Sequence, residues 1–404
     1  MLRNPVGRVR LGLALLLGML AILGPLNVDM YLPGFPDIAA EFDSPASLVQ
    51  LSLTTCLVGM AVGQMVIGPI SDARGRRGPL VFFLSLFVLS SFLCAVAPNI
   101  TTLVVARFLQ GFTGSAGVVL SRAVVRDVFT GPELTRFFAL VMMINASAPI
   151  FAPVLGGGVL VLPNATWHWI FVSLGLLGVV IVSVTAWRLP ETLAVERRVP
   201  SSVGASVRTM WGLLTNRSFM GYALVVGLIH GGSFAYVAGT PFVYQDIYGV
   251  SPQTFGILFG VNGVAIILGN AIVGRLSGRV HERDLLRAAV TLATCATVLL
   301  LVVALFAGPL AAVVGLLFAY MLSMGMIVTT SFSLGMRGQQ GNAGSASALL
   351  GTFPLSFGAL VAPLVGLNEA SAVPMALTLC LTSAAGATIL VTMTRKVIEE
   401  RTAT

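Results

Sequence analysis

Two ionisable side chains stand where a polypeptide rarely keeps them. Asp29 lies in LNVDMYLPGFP, directly behind the apolar run LGLALLLGMLAILGP, and Arg107 opens RFLQGFTGSAG within another apolar segment. A carboxylate in hydrocarbon costs about 2.5–3.5 kcal/mol on insertion scales, so an acid retained there ordinarily faces a cavity and has a task. Burial and a neighbouring cation act in opposite senses on the charged form of a carboxylate. The protonation of Asp29 can therefore follow whatever lies beside it, which is what proton coupling requires. The competing reading makes Asp29 a residue of the helix end or of the wet membrane boundary, because Pro33 follows four positions later. Arg107 cannot give up its proton; it can polarise a neighbour, hold a water or repel a cation, or simply bond the backbone of an adjacent helix.

The elements that must position these groups follow from composition. Of 404 residues, 56% are hydrophobic and 9% charged, against roughly a quarter charged in soluble proteins. Apolar runs long enough to cross a hydrocarbon layer of about 30 Å recur along the chain. Hydropathy and Gly, Pro and charge breaks predict helices over 11–32, 47–69, 79–97, 100–121, 135–160, 167–187, 218–243, 253–275, 285–306, 309–334, 343–366 and 373–394. The expected fold is an all-α membrane protein of twelve transmembrane helices in a lipid bilayer. With both termini in the cytoplasm, 22 of the 23 basic residues fall in inner loops, leaving Arg107 inside the fourth helix. The net charge of +8 is spread over these loops and forms no single basic face, so a nucleic-acid partner is not expected. The first apolar run is too long for a cleaved signal and has no small-residue cleavage site behind it, so it counts as the first helix. Cys56, Cys94, Cys295 and Cys380 have no metal-ligand spacing and read as small apolar residues.

The polar stretch 188–217 divides the chain into halves of six helices, 1–187 and 218–404. At an offset of 206, GPISDARGRR from Gly68 is echoed by GRLSGRVHER from Gly274, with Gly278 where the first copy has Asp72. Such duplication is the mark of a transporter built from repeats, with its site at their interface. GPISDARGRR resembles the signature between helices 2 and 3 of the major facilitator superfamily. That resemblance implies that Gly68 lets helices approach, that Asp72 meets a helix N-terminus and that the arginines, Arg76 among them, tie the halves together on the inner side. RFLQGFTGSAG resembles the helix 4 motif of proton-coupled members. APIFAPVLGGG, Ala148 to Gly158, resembles the helix 5 antiporter motif, with Ala152 where Gly is usual; Pro149, Pro153, Gly156 and Gly157 are then a hinge or seal, or ordinary close packing. DMYLP and RAVVRDVF look like the bicyclomycin and chloramphenicol resistance branch of drug:proton antiporters.

This resemblance implies a monomeric prokaryotic plasma-membrane antiporter that exports lipophilic drug-like compounds in exchange for protons by alternating access. On the helices that line the cavity in this fold, Asn27, Tyr31, Asn145, His230, Tyr236, Asn262, Phe353 and Phe357 are candidate substrate contacts. Each aromatic among them could equally be core or lipid-facing, and a neutral His230 bonded across helices competes with a titrating one. An exporter of an ordinary metabolite such as a sugar or amino acid, or a non-transporting receptor, are the rival readings. With no P-loop, zinc-spaced His/Glu set or nucleophile elbow, an enzyme, a cofactor and a metal are not expected.

Overall fold

The computed structural model describes residues 7–129, 131–198, 212–337, 343–367 and 371–393. Among these residues the secondary structure is helical, with no named strand. In chain order the helices are α1 Gly7–Asp29, α2 Phe35–Glu41, α3 Ala46–Arg74, α4 Arg77–Ala95, α5 Ile100–Val128, α6 Gly131–Val159 and α7 His168–Arg188. There follow α8 Arg217–Phe242, α9 Pro252–Leu276, α10 Glu282–Leu305, α11 Leu310–Met336, α12 Ala343–Val361 and α13 Val373–Met393. Without the short α2 these are the twelve expected helices.

Helices of this length are the response of a backbone that has no water to bond: every N–H and C=O must be satisfied inside its own segment. Side chains such as Leu89, Leu176 and Leu299 are more than half exposed, because the solvent they meet is lipid and burial inside protein gains them little. Boundaries depart from the hydropathy windows where the helix outruns the apolar run. α5 continues to Val128 and α3 to Arg74, each beyond its predicted end. A hydropathy window measures hydrocarbon thickness, whereas a helix stops where its backbone bonds stop. At the other end of α1, Pro33 enters a 3₁₀ turn, Leu32–Gly34, that leads into α2.

The chain forms two compact units. One comprises Met1–Ser44, Leu51–Ser201 and Pro252–Ile257; the other comprises Pro45–Gln50, Ser202–Ser251 and Leu258–Thr404. Within the first, α4 packs on α5 and α7, and α1 on α5, α6 and α7. Within the second, α10 packs on α11 and α13, and α8 on α11, α12 and α13. Each pairing in one unit has its counterpart in the other, so the duplication hinted at by one loop extends to the helix neighbours.

The crossings repeat as well. A Cβ at Gly111 on α5 would overlap the Cys56 carbonyl of α3, and a Cβ at Gly325 on α11 would overlap the Ile266 carbonyl of α9. Bare backbone against bare backbone is how membrane helices gain packing contact. Gly68, expected to provide such an approach, does not: its nearest neighbour to a built Cβ is Val119 Cγ1 at 3.7 Å. Its use is local, since Pro69 follows inside the helix and the ring of a proline crowds the Cβ of the residue before it.

The contrast within α11 is testable. Gly325→Ala should destabilise by about 1–3 kcal/mol through overpacking, whereas Gly315→Ala, with no atom within 4 Å of the added methyl, should gain up to about 0.5–1 kcal/mol. Thermal unfolding of the two variants in one detergent reads the difference, and equal effects would show that the crossing can relax.

Candidate functional site

Arg107 is carried into the first unit by α5, whose start is capped by Asn99 accepting from the Thr102 N–H at 2.8 Å. Its side chain is fully buried. Nη1 donates to Asn27 Oδ1 at 2.8 Å and to Gln110 Oε1 at 2.6 Å, and Nη2 donates to the Asn27 carbonyl at 2.8 Å. The guanidinium lies 4.0 Å from the centroid of the Tyr31 ring and 5.5 Å from that of Phe171, distances at which a ring face attracts a cation. The partners are themselves held. Gln110 Nε2 donates to Ser91 Oγ at 2.9 Å, Cys94 Sγ donates to Gln110 Oε1 at 3.4 Å, and Asn27 Nδ2 donates to Cys56 Sγ at 3.3 Å. Tyr31 shares a hydrogen bond with Ser52 at 3.2 Å. One cation thus gathers side chains from α1, α3, α4, α5 and α7.

No carboxylate completes this cluster among the described residues. Asp29 is two residues beyond Asn27 at the end of α1, 6% exposed, and among the described residues it makes no hydrogen bond or ion pair. Among the described residues the structure therefore forms no bond between Asp29 and Arg107, the two candidate coupling residues. The reason is angular: residues two apart on a helix point about 200° away from each other, and Arg107 takes the face that carries Asn27.

The helix 5 motif meets the turn that holds Asp29. A Cβ on Gly156 would overlap the Met30 carbonyl oxygen, so only glycine allows α6 to cross there. In the same unit Gly157 faces Pro252, whose oxygen lies 2.9 Å from a built Cβ, and Gly256 faces the Pro153 carbonyl at 2.8 Å. Pro149 and Asn145 belong to α6, but their side chains lie outside the described set.

In the second unit the expected contacts fall into three sets. Asn262 Nδ2 donates to the Tyr236 hydroxyl at 3.1 Å, and the Tyr236 ring stacks on Phe259 at 4.8 Å. His230 stacks on Phe234 at 6.1 Å. Phe353 through its Cβ and Phe357 through its ring edge pack against Gly227, at 2.9 and 3.1 Å from a built Cβ, so both side chains contribute to the seam between α8 and α12. Asn27 and Tyr31 belong to the first unit and these five residues to the second.

A second charged cluster closes the end of the first unit where α3 gives way to α4. Arg76, 2% exposed, donates from Nε to Asp127 at 2.8 Å and from Nη1 to Asp72 and to Ser71, both at 2.7 Å. Asp72 was expected to meet a helix N-terminus and the arginines to tie the halves together. Instead, Asp72 pairs with Arg76 one turn on, and the partners of Arg76 among the described residues are Asp72, Ser71, Asp127 and Glu191. The carboxylate that receives a helix start is Glu191: the backbone N–H groups of Arg76, Arg77, Thr192 and Leu193 donate to it at 2.8, 3.3, 3.0 and 3.0 Å. This satisfies the otherwise orphan donors opening α4. Sequence reasoning missed Glu191, Asp127 and Gln110. Gln110, three residues after Arg107 in a quoted motif, could have been found by its helical spacing.

The family model described as Major Facilitator Superfamily matches residues 17–363, and the chain belongs to that family, a family of transporters. It is similar to "Uncharacterized MFS-type transporter YdgK" of Bacillus subtilis (strain 168), 61% identical over 96% of both chains. It is also similar to "Bicyclomycin resistance protein homolog" of Haemophilus influenzae, 30% identical over 90% of this chain and 92% of that one. The fold matches a crystal structure of the nucleoside transporter NupG with a TM-score of 0.77 at 12% identity, covering 96% of this chain and all of the other. The protein is a multi-pass membrane transporter of a drug-resistance branch.

Partial burial raises the Glu191 carboxyl, but its four backbone donors outweigh this and hold it below the usual carboxylate range. Its contribution to stability is therefore present above the unfolded value, about 4.3, and is lost as pH falls through the lower folded value. Glu191→Gln should lower the melting temperature at pH 7, with the gap to the unmodified protein closing below about pH 4. A gap that persists unchanged at pH 3 would show that the carboxylate's charge is not what holds this turn.

Proposed function

We propose that this transporter exports lipophilic, drug-like compounds in exchange for protons. The observation that carries the reading is Asp29, an acid buried at the end of α1 and free of any bonding partner among the described residues, on the same helix as Asn27, which holds the Arg107 guanidinium through neutral oxygens. A carboxylate so placed can gain and lose a proton without breaking the architecture around it, because nothing else is built on its charge. The α6 glycine at Met30 supports this reading by tying the mobile proton's neighbourhood to the packing of a second helix. The drug-like substrate class is supported by the relative named for bicyclomycin resistance.

In this proposal the halves 1–187 and 218–404, joined by the linker 188–217, alternate access about a central site. The protein works as a monomer in the prokaryotic plasma membrane, with both termini in the cytoplasm as the arginine distribution favours. Arg107 keeps the local field constant while Asp29 changes charge.

Asp29→Asn should abolish uphill export while leaving the protein folded and inserted, since the amide is nearly isosteric but carries no exchangeable proton. The measurement is a resistance panel in an efflux-deficient host, paired with proton-driven flux in proteoliposomes. Full proton-coupled export by the variant would move the coupling group elsewhere, and proton-dependent flux of a sugar or amino acid without resistance would reassign the substrate.

A single titrating acid also fixes the electrical signature. A neutral compound exchanged for one proton moves one charge inward and responds both to potential, about 2.3 kcal/mol per 100 mV, and to the pH gradient, about 1.4 kcal/mol per unit. A monovalent cation exchanged for one proton moves no net charge. With the potential clamped to zero by potassium and valinomycin and the pH gradient held fixed, neutral export should fall and cation export should not. An equal fall in both requires a second proton carrier.

A further inference from the structure

The second unit holds a cavity of about 860 Å³ at the end where α8 begins, α9 ends, α10 begins and α11 ends. Its chemistry is set by the second copy of the repeated loop. In the first copy Arg76 is neutralised by Asp72 and Asp127, and Glu191 takes the opening of α4. At the same offset of 206 the second copy has Glu282 for Arg76 and Ser333 for Asp127. These two still meet, with Ser333 Oγ donating to Glu282 at 2.8 Å, and Arg337 pairs with Glu282 at 3.0 Å. The contact survives with its charge inverted.

That inversion leaves cations over. Asp284 is paired with Arg287 at 3.2 Å, which accounts for both acids on the cavity wall. Arg279 and Arg283 also line it, and neither side chain forms an ion pair or a hydrogen bond among the described residues. The turn that leads into them is shaped by Gly278 at φ +82°, so the residue standing where the first copy has Asp72 is a turn former, and no acid can be accommodated there without strain. An independent feature points the same way. Tyr222 lines the cavity and is only 3% exposed, yet its buried hydroxyl lacks a hydrogen-bond partner among the described residues. A buried hydroxyl without a partner is costly and asks for a ligand.

We propose that this cavity binds a phosphate group through the Arg279 and Arg283 guanidinium groups and the Tyr222 hydroxyl. Two guanidinium forks match the oxygens of a phosphate, and the hydroxyl adds a neutral donor. The same chemistry is offered by the headgroup of an anionic phospholipid and by a soluble phosphate compound.

The test uses the full-length protein in detergent, titrated with phosphatidylglycerol, with phosphatidylcholine as the uncharged control, and read by native mass spectrometry. In parallel, inorganic phosphate is titrated against the melting temperature. Arg279 is exposed and Arg283 half-buried, so the double variant Arg279→Gln/Arg283→Gln should fold and should bind phosphatidylglycerol about tenfold more weakly. Tyr222→Phe, which keeps the ring, should weaken binding less, and Arg279→Lys/Arg283→Lys should recover part of it. If the arginine variants change the response to inorganic phosphate and leave lipid retention untouched, the site serves a soluble phosphate compound. Identical lipid retention and identical phosphate response in the unmodified protein and in the glutamine double variant would overturn the proposal.

Discussion

The first half of this transporter is organised by the need to keep one guanidinium satisfied out of water. Arg107 has no acid partner among the described residues, so its charge must be met by neutral oxygens and ring faces. Three hydrogen bonds to a charged group, at about 1.5–3 kcal/mol each, outweigh an insertion cost of about 2.5–3.5 kcal/mol, but only if every acceptor is held in place. Asn27 supplies two of the three and Gln110 the third. Each is fixed in turn by a neighbour on another helix, Cys56 on α3 for the first and Ser91 on α4 for the second. Two cysteines that read as apolar filler are therefore members of the polar network. Loosening any one helix would leave a buried donor or acceptor open, which is why such networks specify a single arrangement.

Duplication has been conserved in backbone and released in charge. The bare crossings at Gly111 and Gly325 are matched in the two units, as are the helix neighbours. Steric fit constrains both copies alike, because a methyl group collides with a carbonyl whatever its function. Charge is free to differ wherever a local partner can be exchanged. Arg76 with Asp127 and Glu282 with Ser333 close the same corner of their respective units with opposite signs. At that corner the first copy places a guanidinium between two carboxylates, and the second places a carboxylate between a hydroxyl and a guanidinium.

Much of the fold was legible in the sequence because each membrane helix is written as its own apolar run, and Asp29 and Arg107 stood out against that background. Their partners did not. Asn27 and Asp29 are two residues apart, and only the rotation of α1 decides which of them meets α5. Glu191 is more than a hundred residues from the backbone groups it receives, and no periodicity links them. The ends of α3 and α5 were hidden for a different reason: hydropathy falls where the hydrocarbon stops, but Arg76 requires Asp127 to be presented on a helix that continues past that level. Phe353 and Phe357 show why residue type alone leaves a role open, since aromatic side chains on a candidate lining helix are equally what a glycine-bearing neighbour needs to pack against.

The separation of Asp29 from Arg107 has a mechanistic consequence. A carboxylate locked to a guanidinium stays charged, and releasing its proton-binding capacity would mean breaking the pair in every cycle. By giving Arg107 an amide and a backbone carbonyl instead, the first helix holds the cation permanently and leaves the acid uncommitted on another of its faces. The same turn then carries two kinds of group: one that never titrates and maintains the packing of five helices, and one whose protonation disturbs no hydrogen bond among the described residues. Close contact between Gly156 and the Met30 carbonyl brings α6 against that turn, so under the proposed coupling a change in charge at Asp29 would be felt first where the helix 5 motif crosses. A motif of small residues at this crossing is therefore physically suited to linking a proton to a helix movement, because bare backbones can shift against each other without repacking side chains.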